Sequence, residues 1–324
     1  MEALLSTDTL WQACLWLVIG FVLLVKGADF FVDGSSSVAK MLKVPSLIIG
    51  LTIVAMGTSL PECSVSVTAA LAHNNELAIA NAVGSNIINL MVVCGVCAVL
   101  CPMAVQKSML LREYPLSVGA AVLLLIFGLT GWTVGHVEGA ILLVIFVAFL
   151  VWMVRSALNA RKNGGDAAAE ADEPKTLPIW QCILFIIGGA AAIVFGGDRV
   201  VDAASSIAIR FGMSQNLVGL TIVALGTSLP ELVTSAVAAR KKEVDMALGN
   251  VVGSNIFNIL MVLGISGAIS PMSFTGENAV DIIVLMVFSA IVWVFCWPKK
   301  QLARWGGAAM LLMYAAYVVY ICMR

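Results

Sequence analysis

The sequence predicts an all-α membrane protein of about ten transmembrane helices, arranged as two inverted five-helix repeats with broken helices at the midplane. Three observations lead there. The 324-residue chain is 61% hydrophobic and 11% charged, with a mean hydropathy of +1.02, whereas soluble domains carry roughly 25% charged residues. Its apolar runs are long enough to cross a hydrocarbon core, which takes about 20 helical residues. The hexapeptide Gly57-Thr58-Ser59-Leu60-Pro61-Glu62 returns letter for letter as Gly226 to Glu231, setting a carboxylate and a helix breaker twice inside otherwise apolar stretches.

The spans follow from breaking the chain at polar and charged clusters. The first apolar run, from Leu10 to Val32, lacks a positive leader and is long for the core of a cleaved signal peptide, so it is the first span. The others fall near 45–72, 77–101, 115–132, 137–157, 179–201, 214–239, 245–270, 279–297 and 303–322. Between the fifth and sixth, residues 159–178 are polar and lack apolar periodicity, which reads as a flexible linker. Residues 1–158 thus form a first repeat and 179–324 a second.

Basic residues orient the chain. Lys40, Lys43, Lys107, Arg112, Arg161, Lys162, Arg240 to Lys242, Lys299 and Lys300 fall in alternate loops, with Arg199 and Arg210 as exceptions, which places those loops in the cytoplasm. The linker is then cytoplasmic, both termini are non-cytoplasmic, and the host bilayer is the plasma (inner) membrane. With a net charge of −1 and no basic stripe, nucleic acid is excluded as a partner. No protein partner is expected beyond the lipid bilayer.

A constant offset of 169 residues relates Asp29 to Asp198, Gly57 to Gly226, Gly84 to Gly253 and Pro102 to Pro271. Five spans per repeat is an odd number, so the halves insert upside down relative to each other. Inverted repeats with interrupted helices are the architecture of secondary transporters, whose sites lie near the midplane.

Pro61 has no N–H for the Gly57 carbonyl, so the helix should break at Gly57–Ser59 and restart near Leu60. Ser59 to Glu62 also reads as a capping box, an ordinary helix start. At mid-membrane depth, however, unwound backbone persists only where protein or a cavity surrounds it. Freed carbonyls, hydroxyls and carboxylates are hard oxygen ligands for Ca²⁺, Na⁺ or Mg²⁺, and intramembrane acids are functional by default. Asn81, Ser85 and Asn89, spaced by four, line one face of the third span; Asn250, Ser254 and Asn258 repeat them in the eighth. Helix-to-helix glue would account for such residues singly, but their recurrence beside each broken helix favours ligation. Gly84 and Gly253 should allow close helix approach.

Asp29, Asp33, Asp198 and Asp202 recur near the ends of the first and sixth spans and read as interfacial, with Arg199 able to pair locally. His73 and His136 sit in loops, and Cys94, Cys97 and Cys101 read as lipid-buried thiols. The chain lacks His-Glu-x-x-His and Gly-x-Ser-x-Gly, and no histidine lies in a span, so no enzyme is expected.

At these motifs, together with Gly84 to Asn89 and Gly253 to Asn258, the chain resembles the sodium/calcium exchanger family of the cation/calcium antiporter superfamily, prokaryotic type. The resemblance covers nearly the whole chain. It implies exchange of Na⁺ for Ca²⁺ by alternating access, with the first and sixth helices sliding past a central site. Glu62 and Glu231 would be the main Ca²⁺ ligands, and Thr58 and Thr227 would add carbonyls and hydroxyls. Ser59, Ser228, Ser85 and Ser254 would serve Na⁺, Asn89 and Asn258 would close the centre, and the carbonyls of Ala55 and Ala224 would assist. No cofactor is implied, only the transported ions. Some relatives, including potassium-dependent ones, carry Asp where Asn258 stands; two formal negative charges instead of three argue against potassium dependence. Two facing glutamates would also suit Ca²⁺/H⁺ exchange, and a cation channel would place similar oxygens at the midplane.

Overall fold

The computed structural model describes residues 9–71, 76–162, 177–213, 222 and 224–323, the side chains of Glu76, Leu77, Lys162 and Ala224 excepted. Among them, eight helices are long and apolar enough to cross a membrane. These are Leu10–Leu42, Ala78–Leu100, Met109–Gly131, His136–Arg161, Ile179–Arg210, Val244–Ile269, Gly276–Cys296 and Arg304–Met323. Ser46–Thr58 and Leu60–Leu71 are long and apolar enough only together, as a pair bent by 49°. The seventh expected span contributes Ala224–Gly226 and Leu229–Arg240; its first half, like His73 and most of the 159–178 linker, lies outside the described residues. The fifth-span helix runs through Asn159 as far as Lys162, so the linker starts later than its composition implies.

Loop pairings test the span count independently. Met103–Ala104 pairs antiparallel with Gln301–Leu302, and Thr133–Val134 pairs with Met272–Ser273. The His136 ring nitrogen Nδ1 lies 3.0 Å from the Ala268 carbonyl oxygen, and Lys241 reaches Asp33 at 2.8 Å. Loops can meet only on one side of a bilayer. The strand pairs join the third loop to the ninth and the fourth to the eighth, and Lys241 of the seventh loop reaches the first helix. That parity holds only if the broken seventh segment is itself a crossing.

Two helices exceed their expected lengths. Leu10–Leu42 and Ile179–Arg210 hold 33 and 32 residues, about 50 Å each at 1.5 Å per residue, against a hydrocarbon core of about 30 Å. Asp33, Ser35 to Ser37 and the Asp198–Asp202 stretch look like span ends in sequence. In the fold, Ser35, Ser36 and Ser37 are buried by helix packing, so the helix continues through them. The two long helices cross at glycines. A Cβ on Gly27 would lie 2.9 Å from the Gly189 carbonyl, and one on Gly189 would lie 2.7 Å from the Gly27 carbonyl. Gly20 and Gly196 repeat the relationship at 2.9 and 2.8 Å. Gly20 and Gly189 are equivalent by the repeat offset, as are Gly27 and Gly196, so these reciprocal contacts straddle the pseudo-two-fold axis.

The third and eighth spans form the centre. In their most apolar windows 72% and 78% of residues are buried, against 22–33% for the other unbroken spans, whose outward apolar side chains face lipid. The first half of the second span packs tightly on the eighth: a Cβ on Gly50 would meet the Met246 carbonyl at 2.5 Å. Gly253 approaches Leu51 and Ala55 as closely as expected, at 2.8 Å. The repeat-related partners of Gly84, at 220 and 224, fall where side chains are not described.

Candidate ion-binding site

The second span breaks at Ser59. Ser59 has φ −84° and ψ 11°, and Ser228 has φ −91° and ψ 5°, both outside helical geometry in the sparsely allowed bridge region. The helix restarts at Leu60 and at Leu229, each followed by proline. This is the interruption that the missing Pro61 N–H dictates. The capping box, however, does not form at Ser228, whose side chain makes no cap hydrogen bond. The Ser59 hydroxyl instead crosses to the other repeat and donates to Glu231 Oε1 at 2.9 Å. At mid-membrane the carboxylate is the stronger acceptor, and it draws the hydroxyl away from local capping.

A second interruption was not legible in the sequence. Asn89–Val93 and Asn258–Val262 are single π-helical turns, and Gly50–Val54 is another. Asn89 and Asn258 each open such a turn, repeat-related and within the two central helices. One extra residue per turn re-aims the side chain inward, a device frequent at functional sites.

The interactions group around the two glutamates, which are fully buried. Around Glu231, the Ser254 hydroxyl joins Ser59 on Oε1 at 3.5 Å. Thr58 donates to Asn250 Oδ1 at 3.1 Å, and Asn250 Nδ2 donates to Ser235 Oγ at 2.9 Å. Around Glu62, Asn81 Nδ2 reaches Ser66 Oγ at 3.1 Å and the Glu62 carbonyl at 3.4 Å. Ser66 and Ser235 were missed in the sequence; both lie four residues beyond a glutamate and obey the same offset.

Many buried oxygens here lack a protein hydrogen-bond partner. They include both Glu62 carboxylate oxygens, Glu231 Oε2, Thr227 Oγ1, Ser228 Oγ, Asn89 Oδ1 and Asn258 Oδ1. Among the described residues, no lysine, arginine or histidine pairs with either glutamate. Burying carboxylates without a compensating charge is prohibitively costly. Two carboxylates ringed by neutral oxygens have the donor chemistry that hard cations take.

Some expected groups are otherwise engaged. The Ala55 carbonyl accepts from the Ser59 N–H at 3.0 Å and the Thr58 hydroxyl at 3.4 Å. The side chain of Ala224 is outside the described residues. Asp29 and Asp33 bind Lys241 at 3.4 and 2.8 Å, and Asp202 binds Arg199 at 2.7 Å. These partly exposed acids lie within the two long helices and not at their ends, where the sequence suggested, and stay apart from the central cluster. Cys94 and Cys97 are buried free thiols among apolar neighbours.

Residues 12–155 and 181–323 match the sodium/calcium exchanger protein family. The chain is 44% identical over 310 residues to the putative antiporter CaxA of Alkalimonas amylolytica, covering 94% of this chain and 97% of that protein. It is 32% identical over 340 residues to the sodium/calcium exchanger MaX1 of Methanosarcina acetivorans, covering 94% and 97%. Its fold matches the solved structure of the sodium-calcium exchanger NCX_Mj soaked with 2.5 mM Na⁺ and 10 mM Sr²⁺. The TM-score is 0.82 at 30% identity, covering 96% of this chain and 99% of that one.

Proposed function

The chain belongs to the sodium/calcium exchanger family, and from that premise we propose that it exchanges Na⁺ for Ca²⁺ by alternating access, with Ca²⁺ held between Glu62 and Glu231. It is a multi-pass membrane transporter of the calcium/cation exchange class and not an enzyme. The observation that carries the finer reading is the pair of fully buried carboxylates, Glu62 and Glu231, with unpartnered oxygens and no basic neighbour among the described residues.

The chemistry follows from charge. One Ca²⁺ or two Na⁺ neutralise two carboxylates, whereas a third Na⁺ would leave the site positive. Thr58, Thr227, Ser59, Ser228, Ser85 and Ser254 offer neutral oxygens suited to Na⁺, while Asn89, Asn258, Asn81 and Asn250 complete the polar lining. The carbonyls of Ala55 and Ala224 are the weakest members of the proposed set. With Asn258 neutral, exchange is independent of K⁺.

Alternating access exposes this one site to each side in turn. The glycine crossing of the first and sixth helices supports a sliding element there, because backbones in direct contact present no interdigitating side chains to be lifted past one another. In the plasma (inner) membrane, the linker that follows the helix ending at Lys162 joins the two repeats on the cytoplasmic side, and both termini lie opposite.

Reconstituted vesicles test the counter-ion. An outward Na⁺ gradient at clamped pH should drive ⁴⁵Ca²⁺ uptake, and a pH gradient without Na⁺ should not. Uptake driven by the pH gradient alone would establish Ca²⁺/H⁺ exchange instead, and flux without any counter-ion gradient would indicate a channel.

A further inference from the structure

Asn86 and Asn255 are equivalent by the repeat offset, lie at the crossing of the third and eighth spans, and are 0% and 5% exposed. Their side chains clasp each other's main chain. Asn86 Nδ2 donates to the Asn255 carbonyl at 3.1 Å, and Asn255 Nδ2 donates to the Asn86 carbonyl at 3.2 Å. A backbone carbonyl only accepts, so each contact fixes the nitrogen end of the amide. The free end of Asn86 is therefore its oxygen, Oδ1.

That polarity propagates one step further. Asn258 Nδ2 donates to Asn86 Oδ1 at 3.1 Å. Its nitrogen thus faces Asn86, and its own Oδ1 remains buried without a protein partner. An amide rotated by a half turn would present N–H donors to a cation, which repel it, while this orientation presents an oxygen, which attracts it. The other side of the axis lacks the relay: Asn255 Oδ1 and both polar atoms of Asn89 have no partner.

We infer that Asn86 is a positioning residue that orients the Asn258 amide with its oxygen toward the transported cation, so that the two central asparagines are unequal. This rests on the proposal that Asn258 lines the ion site. Neither Asn86 nor Asn255 touches the ion; Asn86 acts through Asn258, and Asn255 serves mainly as the backbone anchor.

The test is a double-mutant cycle on Na⁺-gradient-driven ⁴⁵Ca²⁺ uptake by reconstituted full-length protein, reading KM and kcat separately. Asn86→Ala should raise the KM for Ca²⁺ about tenfold, the size of one lost hydrogen bond, with kcat within about twofold. In an Asn258→Ala background, Asn86→Ala should leave KM unchanged, because residues acting through one another are non-additive. Asn255→Ala retains the Asn255 carbonyl, so its KM should move by less than about threefold. If Asn86→Ala does not yield a monodisperse protein, Asn86→Ser enters the same cycle, and Asn255→Ala stands on its own. An additive cycle, or a tenfold KM rise in Asn255→Ala, overturns the inference while Na⁺/Ca²⁺ exchange stands. Absence of Na⁺-driven uptake by the unaltered protein overturns the exchange reading itself.

Discussion

The Ser59 hydroxyl donates to the Glu231 carboxylate at 2.9 Å across 172 residues of sequence, whereas the repeat-related Ser228 hydroxyl, beside Glu62, is buried without a partner. The same inequality separates Thr58, bonded to Asn250, from Thr227, whose hydroxyl is unpartnered. One half of the site is closed on itself and the other is slack. Ser59→Ala removes a hydrogen bond to a charged group, worth about 1.5–3 kcal/mol. It should raise the Na⁺ concentration for half-maximal Ca²⁺ release about tenfold or more. An unchanged Na⁺ dependence would show that this oxygen takes no part.

The glycine crossing between the two long helices yields a second expectation. Gly27→Val places a branched side chain where a single Cβ already lies 2.9 Å from the Gly189 carbonyl. Overpacking of this kind costs about 1–3 kcal/mol and forces the helices apart. Exchange should fall more than about tenfold while size-exclusion elution still shows a folded protein. Near-normal flux would mean that the contact is dispensable for movement.

The packing of the second span on the eighth is tested by stability. Gly50→Ala would press a Cβ to 2.5 Å from the Met246 carbonyl, a backbone atom that cannot rotate away. Thermal unfolding in detergent should drop by several degrees, in keeping with about 1–3 kcal/mol of strain. Gly119→Ala is the control: among the described residues, nothing outside its own helix backbone lies within 4 Å of its Cβ, and the helix gains propensity. Equal effects of the two substitutions would refute the close approach.

Much of this was readable because the physical causes are local. The break at Ser59 follows from the absent N–H of Pro61, and the inversion follows from the 169-residue offset and an odd number of spans. What escaped depends on neighbours. Asp33 and Asp198 looked like span ends because a single sequence does not show which helix covers a polar stretch. The π turns at Asn89 and Asn258 arise from how central helices pack, with no breaker residue to mark them. Ser59 read as a cap because the competing acceptor, Glu231, lies in the other repeat. Asn86 and Asn255 stood in plain view within the repeated motif, but their clasp exists only where the third and eighth spans cross.

If Glu62 and Glu231 together hold the transported Ca²⁺, as proposed, neutralising either one stops transport. Na⁺-gradient-driven ⁴⁵Ca²⁺ uptake should be measured in vesicles containing the unaltered protein, Glu62→Gln or Glu231→Gln, with folding checked by elution and thermal unfolding. Each variant removes half the formal charge of the site, so the account predicts folded proteins whose Ca²⁺ flux is abolished. Near-normal flux in either variant would contradict it.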